Sequence, residues 1–163
     1  MPHVLVIASR NGRNIGSAAI RAGQLWRAWS HTADVLTAGD YTQTVEALAL
    51  SGGVVVRDVA DLIGKRSTAH VVLSREVPSD VAAARDAWLL AQVGKPYDWL
   101  GAVGAAWLQV REWQDDSRWF CSEGTTTCSV VHGLLPLSPY IRGVMPTQCV
   151  DLHLAAGWQV VTP

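Results

Sequence analysis

Apolar and polar positions in the first half of the chain follow the short, broken runs of strands rather than the longer period of helices. "HVLVIAS" reads as a buried strand, and "RNGRNIG" after it carries the Asn-Gly and glycine signals of a turn. "HTADVLTA", "QTVEALAL" and "GGVVVRDV" are three short strand candidates divided by "GDY" and "SGG", an antiparallel meander in outline. "STAHVVLSREV" is a further strand. Between the first two strands, "SAAIRAGQLWRAW" has helical spacing at Ala18, Ile20, Leu25, Trp26 and Trp29, although Gly23 weakens it by about 1 kcal/mol against alanine.

The second half is helical in pattern. "PSDVAAARDAWLLAQVG" starts at Pro78 and Ser79 and is stopped by Gly94 and Pro96. "KPYDWLGAVGAAWLQVREWQDDSRW" divides into loop and helix. "CSEGTTTCSVVHGLL" reads as a second helix, with Cys121, Thr125, Cys128 and Val131 or His132 spaced along one face. "PLSPYIRGVMP" is a proline-rich loop, and "TQCVDLHLAAGWQVV" a short helix with a terminal strand. Strands first and helices after predict an α+β fold, not alternating βαβ units. The 163 residues fit one domain, 1–163, large enough to bury a core without disulfide or metal support.

Composition changes this picture little. Apolar residues make up 49% and charged residues 17%, the profile of a folded globular chain. A net charge of −1 offers no basic field for nucleic acid and no polybasic segment for an acidic membrane surface. The three cysteines lack a C-x-x-C pair or matched histidine spacing, so neither a zinc site nor a disulfide framework is expected, and a reducing compartment is the default. "MPHVLVIASR" is too short in its apolar run for a signal peptide, and "WLGAVGAAWLQV" falls short of a membrane span. No export or membrane signal is expected, so the protein is expected to be cytoplasmic as made or virion-associated, its localisation otherwise open. Eight tryptophans are the one oddity, read either as packing residues or as the lining of an aromatic groove.

Candidate chemistry centres on Cys121. It opens a predicted helix, where unpaired N–H groups and the helix dipole favour a thiolate, the reactive form of cysteine. Cys128, two turns further in, and Cys149, in an amphipathic segment, read as buried and structural. A nucleophile of this kind needs a base. His3 and His70 belong to strands and His132 and His153 lie late on helical segments, whereas His31 opens a strand directly after "RAWS" and is placed to reach a helix N-terminus across a cleft. Glu46 in "QTVEALAL" is a carboxylate in apolar surroundings; it is either an orienting group for the base or an outward-facing strand residue. Asp34 is the next candidate for that role.

"GKPYDWLGAVG" followed by "WFCSE" resembles the "G-x-P-Y-x-W-G-G … D-C-S-G" signature of NlpC-type cell-wall hydrolases, which are papain-like cysteine hydrolases. "SHTADVL" looks like the family's "H-V-G-I" strand but precedes the cysteine, the order of the circularly permuted branch that includes YiiX-like proteins and lecithin:retinol acyltransferase-like enzymes. "MPTQCVDLHLAAGWQVV" is similar to the "tP-x-D-L … W" ending of the YiiX-like group. The chain departs from the pattern in three places: "CSE" stands for "CSG", "PYDWLG" has one glycine where two are common, and "SHTAD" lacks the glycine of "HVG".

The resemblance implies a papain-like, circularly permuted NlpC-type fold, an antiparallel sheet packed on helices with the nucleophile at a helix N-terminus. It implies Cys121 as nucleophile, His31 as base, Glu46 as the third polar residue and Tyr97 beside the active site, with no metal and no organic cofactor. Trp99, Trp107 and Trp119 are candidates for a substrate groove. The activity implied is cleavage of an amide bond through a thioester, foremost in peptidoglycan peptides, in a bacterial or bacteriophage protein with phage tail or virion components as conceivable partners. Two other readings stand beside it: a thioesterase or acyltransferase on lipid or acyl substrates, and a non-catalytic binding or tail module that keeps the fold.

Overall fold

Val4, Val6 and Ala8 alternate with Leu5, Ile7 and Ser9 in the first strand, and the sheet is built outward from it. In the computed structural model, which describes residues 1–13, 15–25, 27–108, 117–138 and 143–161, β1 (His3–Arg10) is paired on one side with β2 (His31–Val35) and on the other with β5 (Ala69–Glu76). β3 (Gln43–Leu48) and β4 (Gly53–Asp58) extend the β2 side, and β6 (Gln159–Val161) closes the far edge. The order is β4-β3-β2-β1-β5-β6 with every neighbouring pair antiparallel. The meander expected from the turn signals is β2-β3-β4; the earliest strand lies inside the sheet, not at its edge.

Strand alternation gives the sheet two different faces. Val4, Val6, Ala8, Leu73 and Val77 pack against Ala82, Leu134, Val150 and Trp158, and Val45, Ala47 and Val54 against Leu89, Phe120 and Cys128, so this face is covered by helices. These helices are α3 (Ser79–Ala91), α5 (Cys121–Val131) and α6 (Pro146–Ala155). On the opposite face Ile7, Ala33 and Val35 pack under Leu62, which belongs to a π turn at Leu62–Arg66 that continues the short α2 (Val59–Asp61). The remaining helices are α1 (Ile15–Gly23) and α4 (Trp99–Val103), the latter running into a π turn at Gly104–Leu108. The protein is thus α+β, with a six-stranded antiparallel sheet and six helices among the described residues. No helix among the described residues is long and apolar enough to cross a membrane.

Helix α5 is buried on nearly all sides, including Ser122, Glu123, Thr125, Thr126 and Ser129, not only on the face its spacing suggests. Small hydroxyl residues let it lie close to the sheet, and their polar atoms are satisfied locally. Ser122 Oγ donates to the Val144 carbonyl at 2.6 Å, Thr126 Oγ1 to the Ser122 carbonyl at 2.7 Å, and Thr125 Oγ1 to the Cys121 carbonyl at 3.2 Å. Thr32 on β2 meets Thr125 hydroxyl to hydroxyl at 3.1 Å, which ties the first turn of the helix to the start of the strand.

One expectation needs correction. The helix read over residues 17–29 ends at Gly23, and Leu25 takes φ +56°. A Cβ on Gly23 would lie 2.8 Å from the Ala106 carbonyl oxygen, so glycine permits a close backbone approach here at the cost of helix continuity. Trp26, and the stretches 109–116 and 139–142 within the segments read as helix-and-loop and as proline-rich loop, lie outside the described residues.

Candidate active site

The strand register places the first two groups. Asp34 is opposite Val45 and Val35 opposite Thr44, so His31, Ala33 and Val35 share a face with Thr44 and Glu46, while Thr32 and Asp34 fall on the other. His31 Nε2–H donates to Glu46 Oε2 at 2.6 Å. The Glu46 side chain is wholly removed from solvent and that of His31 is 17% exposed. Of the two readings open for Glu46, the inward one holds.

Glu46 also accepts from a residue the sequence did not single out. Arg66, the last residue of the π turn, reaches both carboxylate oxygens through its two terminal nitrogens, at 2.5 and 3.2 Å. Thr44 Oγ1 adds a 3.3 Å bond to Oε1. "LIGKRSTAH" looks like an ordinary polar connection; only the crossover on this face turns its arginine inward.

Cys121 arrives from the other element. The "GKPY" segment is laid along the start of β4: Gly94 N donates to the Val54 carbonyl and Val54 N to that of Lys95, each at 2.9 Å, and Tyr97 N to that of Gly52 at 3.0 Å. Gly53 makes this possible, because a Cβ there would collide with the Lys95 carbonyl. Trp119 then zips onto the same segment, donating its N–H to the Pro96 carbonyl at 3.2 Å and accepting from Asp98 N–H at 3.1 Å. Two residues later Cys121 begins α5, with Tyr97 buried beside it.

The electrostatics of the three cysteines differ sharply. Burial pushes the Cys121 thiol up, but a hydrogen bond and the charge of His31, with the N–H groups of Thr32 and Ser122, bring it below the usual thiol range. Burial, the largest cause, pushes Cys128 and Cys149 well above that range, and the Asp34 charge adds to it at both. For His31, burial disfavours the imidazolium, yet its hydrogen bonds to Cys121 and Glu46 outweigh that and raise it to about 10. Burial likewise works against the Glu46 carboxylate, and the bonds from His31 and then Arg66 reverse it, to about 2. With Nε2 engaged by Glu46, Nδ1 is the ring nitrogen left for the thiol. These directions favour a thiolate on Cys121 and an imidazolium on His31, with the buried Glu46 carboxylate behind the ring.

A cleft of about 400 Å³ opens onto this array. Ser9, Ser17 and Ser30 line one part, Leu48, Leu50 and Leu62 another, with His31, Arg66, Tyr97 and Cys121 among the groups it exposes. Trp99 stands at the rim, 56% exposed, its ring edge-on to Tyr97 at 5.0 Å. Trp119 does not line this cleft. It packs into the core against Trp88 at 5.8 Å, and its Nε1–H donates to Gln92 Oε1 at 3.1 Å, just before the start of α5; together with Cys121 it lines a separate, small cavity. Trp107 is exposed but also outside the cleft lining.

The other candidates are accounted for by local bonding. Asp34 accepts from Arg85 Nη2 at 2.6 Å, in a buried pair that turns it away from His31. His153 is fully buried between Ser129 Oγ at 2.9 Å and the Cys149 carbonyl at 2.6 Å, and His132 bonds the Cys128 carbonyl at 2.8 Å. His3 Nδ1 lies 2.9 Å from Ser74 Oγ. Among the described residues no three His, Cys, Asp or Glu side chains converge to hold a metal ion. Comparison with protein-family models, with curated proteins and with solved structures finds no match to this chain.

Proposed function

We propose that this protein is a cysteine hydrolase of the papain-like, permuted NlpC type that works through a thioester acyl-enzyme. The observation that carries the reading is the Cys121–His31–Glu46 array, a cysteine at a helix N-terminus whose thiol is lowered by the neighbouring His31, and a buried carboxylate on that ring's Nε2. The Cys121 thiolate attacks a carbonyl carbon, and the charge developing on oxygen is met by the Cys121 backbone N–H, with the Tyr97 phenol at hand. Collapse breaks the bond to the leaving group, which takes the proton from His31 Nδ1. Water then attacks the thioester, His31 accepts its proton, and the acid departs with the thiolate restored.

For the bond cleaved, the sequence resemblance favours a peptide amide of the peptidoglycan type. A second reading, an acyl ester or thioester, is supported by the aliphatic wall at Leu48, Leu50 and Leu62 and by the exposed Trp99 at the cleft rim.

The test is alkylation of the protein by iodoacetamide across pH 5–9, with the labelled cysteine located by mass spectrometry, in the parent and in His31→Ala. One thiol, Cys121, reacting fast below pH 7 and slowed by loss of His31 is the expected result. Three slow thiols of ordinary pH dependence would sink the proposal and leave the fold as a binding module. Digestion of purified peptidoglycan against hydrolysis of a medium-chain acyl ester divides the two substrate readings.

A further inference from the structure

Glu46 has no solvent to hold its charge. It is enclosed by β2, β3 and the π turn, and any group that keeps it ionised must come from the protein. The charged and titratable groups around it and its ring partner are Cys121 from α5, Tyr97 from the segment before α4, Arg66 and Asp61 from the π turn and α2, and Arg57 from β4, which reaches Asp61 at 3.6 Å. Of these only Arg66 touches the carboxylate, and it does so with both terminal nitrogens on both oxygens. Its third nitrogen, Nε, is tethered by Asp61 Oδ2 at 3.0 Å, and Asp61 is in turn flanked by Lys65 at 3.4 Å.

We propose that Arg66 is a positioning residue for the Cys121–His31 pair: its tethered guanidinium clamps Glu46 so that the carboxylate only accepts, which holds His31 with Nε2–H toward Glu46 and Nδ1 toward Cys121. The chemistry follows from the hydrogen-bond inventory of the two side chains. A protonated Glu46 would present an O–H to Nε2, leave the ring proton on Nδ1, and so block the one nitrogen left for the thiol. Burial pushes a carboxylate toward that protonated form, and an arginine fork pushes it back. A lysine at this position would supply a point charge without the fork. The role is indirect, since Arg66 acts on the thiol through Glu46 and His31.

This inference rests on the cysteine-hydrolase reading, and the two fail separately. The measurement is the pH profile of Cys121 alkylation by iodoacetamide in the parent, Arg66→Met and Arg66→Lys, paired with ¹⁵N NMR of the His31 ring. In the parent, the half-point of alkylation lies below that of an ordinary thiol and the neutral ring carries its proton on Nε2. In Arg66→Met the half-point moves up by about one pH unit or more, the shift expected from losing an opposite charge at contact, and the Nε2–H signature is lost. Arg66→Lys falls between the two. Millimolar guanidinium ion restores the parent half-point in Arg66→Ala, which keeps the test decisive if the methionine variant folds poorly. Parent-like alkylation and ring signals in Arg66→Met, or in Arg66→Lys should the former not fold, would overturn the role of Arg66 alone. A parent whose Cys121 titrates like Cys128 and Cys149 would overturn both readings.

Discussion

His31 and Glu46 lie fifteen positions apart on adjacent antiparallel strands, and the ring nitrogen of one is 2.6 Å from the carboxylate of the other. Glu46→Gln keeps the shape of this contact but replaces an acceptor-only group by an amide that also donates. The expected result is a fall in turnover on the order of 10²–10⁴-fold, the usual worth of a positioned acid–base group. The melting temperature should drop far less than the activity, because Arg66 is partly exposed and reaches water. Unchanged turnover would remove Glu46 from the site.

The pH dependence has a defined sign. In the proposed site a thiolate–imidazolium pair is expected above the lowered Cys121 transition and below that of His31, raised to about 10. Turnover should therefore have its acid limb below the ordinary thiol range and its alkaline limb near pH 10. In Cys121→Ala, His31 loses the hydrogen bond and charge of the thiolate, so its ring should titrate at lower pH by NMR. A His31 transition that ignores this substitution would refute the pairing.

Acid stability follows from Glu46. Its carboxylate titrates near 4.5 when unperturbed and at about 2 in the folded protein, so its contribution is complete above pH 4.5 and is lost as pH falls toward 2. Urea unfolding at pH 7, 4 and 3 should show stability declining over that interval. In His31→Ala the largest bond to Glu46 is gone, the folded-state transition moves up, and the acid-dependent part of the stability becomes smaller.

Cys128 lies at 0% exposure among Val45, Leu89, Trp119 and Phe120. Cys128→Ser puts a more polar hydroxyl into this apolar cluster and should cost about 1–3 kcal/mol of stability in urea unfolding. The rate of Cys121 alkylation near pH 6.5 should stay within about twofold, as the chemistry of general acid–base contacts is not touched. A large loss of alkylation with unchanged stability would show that the two thiols act together.

Gly53 and Lys95 test how the cleft is assembled. Gly53→Ala forces a methyl group into the Lys95 carbonyl and must push the "GKPY" segment off β4, at about 1–3 kcal/mol for an overpacked site. Because Tyr97 hangs from that segment, turnover should fall along with stability. Gly52→Ala, at φ +78° and with nothing within 4 Å of its added methyl, is the contrast: it costs stability through backbone strain alone.

Much of the secondary structure is legible in the sequence. Strand candidates at residues 31–38, 43–50 and 52–59 correspond to β2, β3 and β4, and the stop at Gly94 and Pro96 matches the end of α3. These signals are local: apolar alternation, Asn-Gly and Gly-Gly turns, a proline that cannot continue a helix. Cys121 at the start of α5 was legible in the same way, as a change from aromatic to small polar residues. Helix α1 misled because Gly23 serves a contact with Ala106, more than eighty residues away, that no local pattern records.

By itself, then, the sequence determined which segments are strands and helices and which cysteine heads a helix, because backbone preference and periodicity are properties of neighbours along the chain. Only the tertiary structure decided which face of the sheet holds Glu46, that Arg66 bonds both its oxygens, that Asp34 belongs to Arg85, and that Trp119 packs into the core before α5 while Trp99 stands at the cleft. Those choices depend on strand register and on how one crossover lies over the sheet, and a shift of one residue in register would exchange every inward and outward side chain.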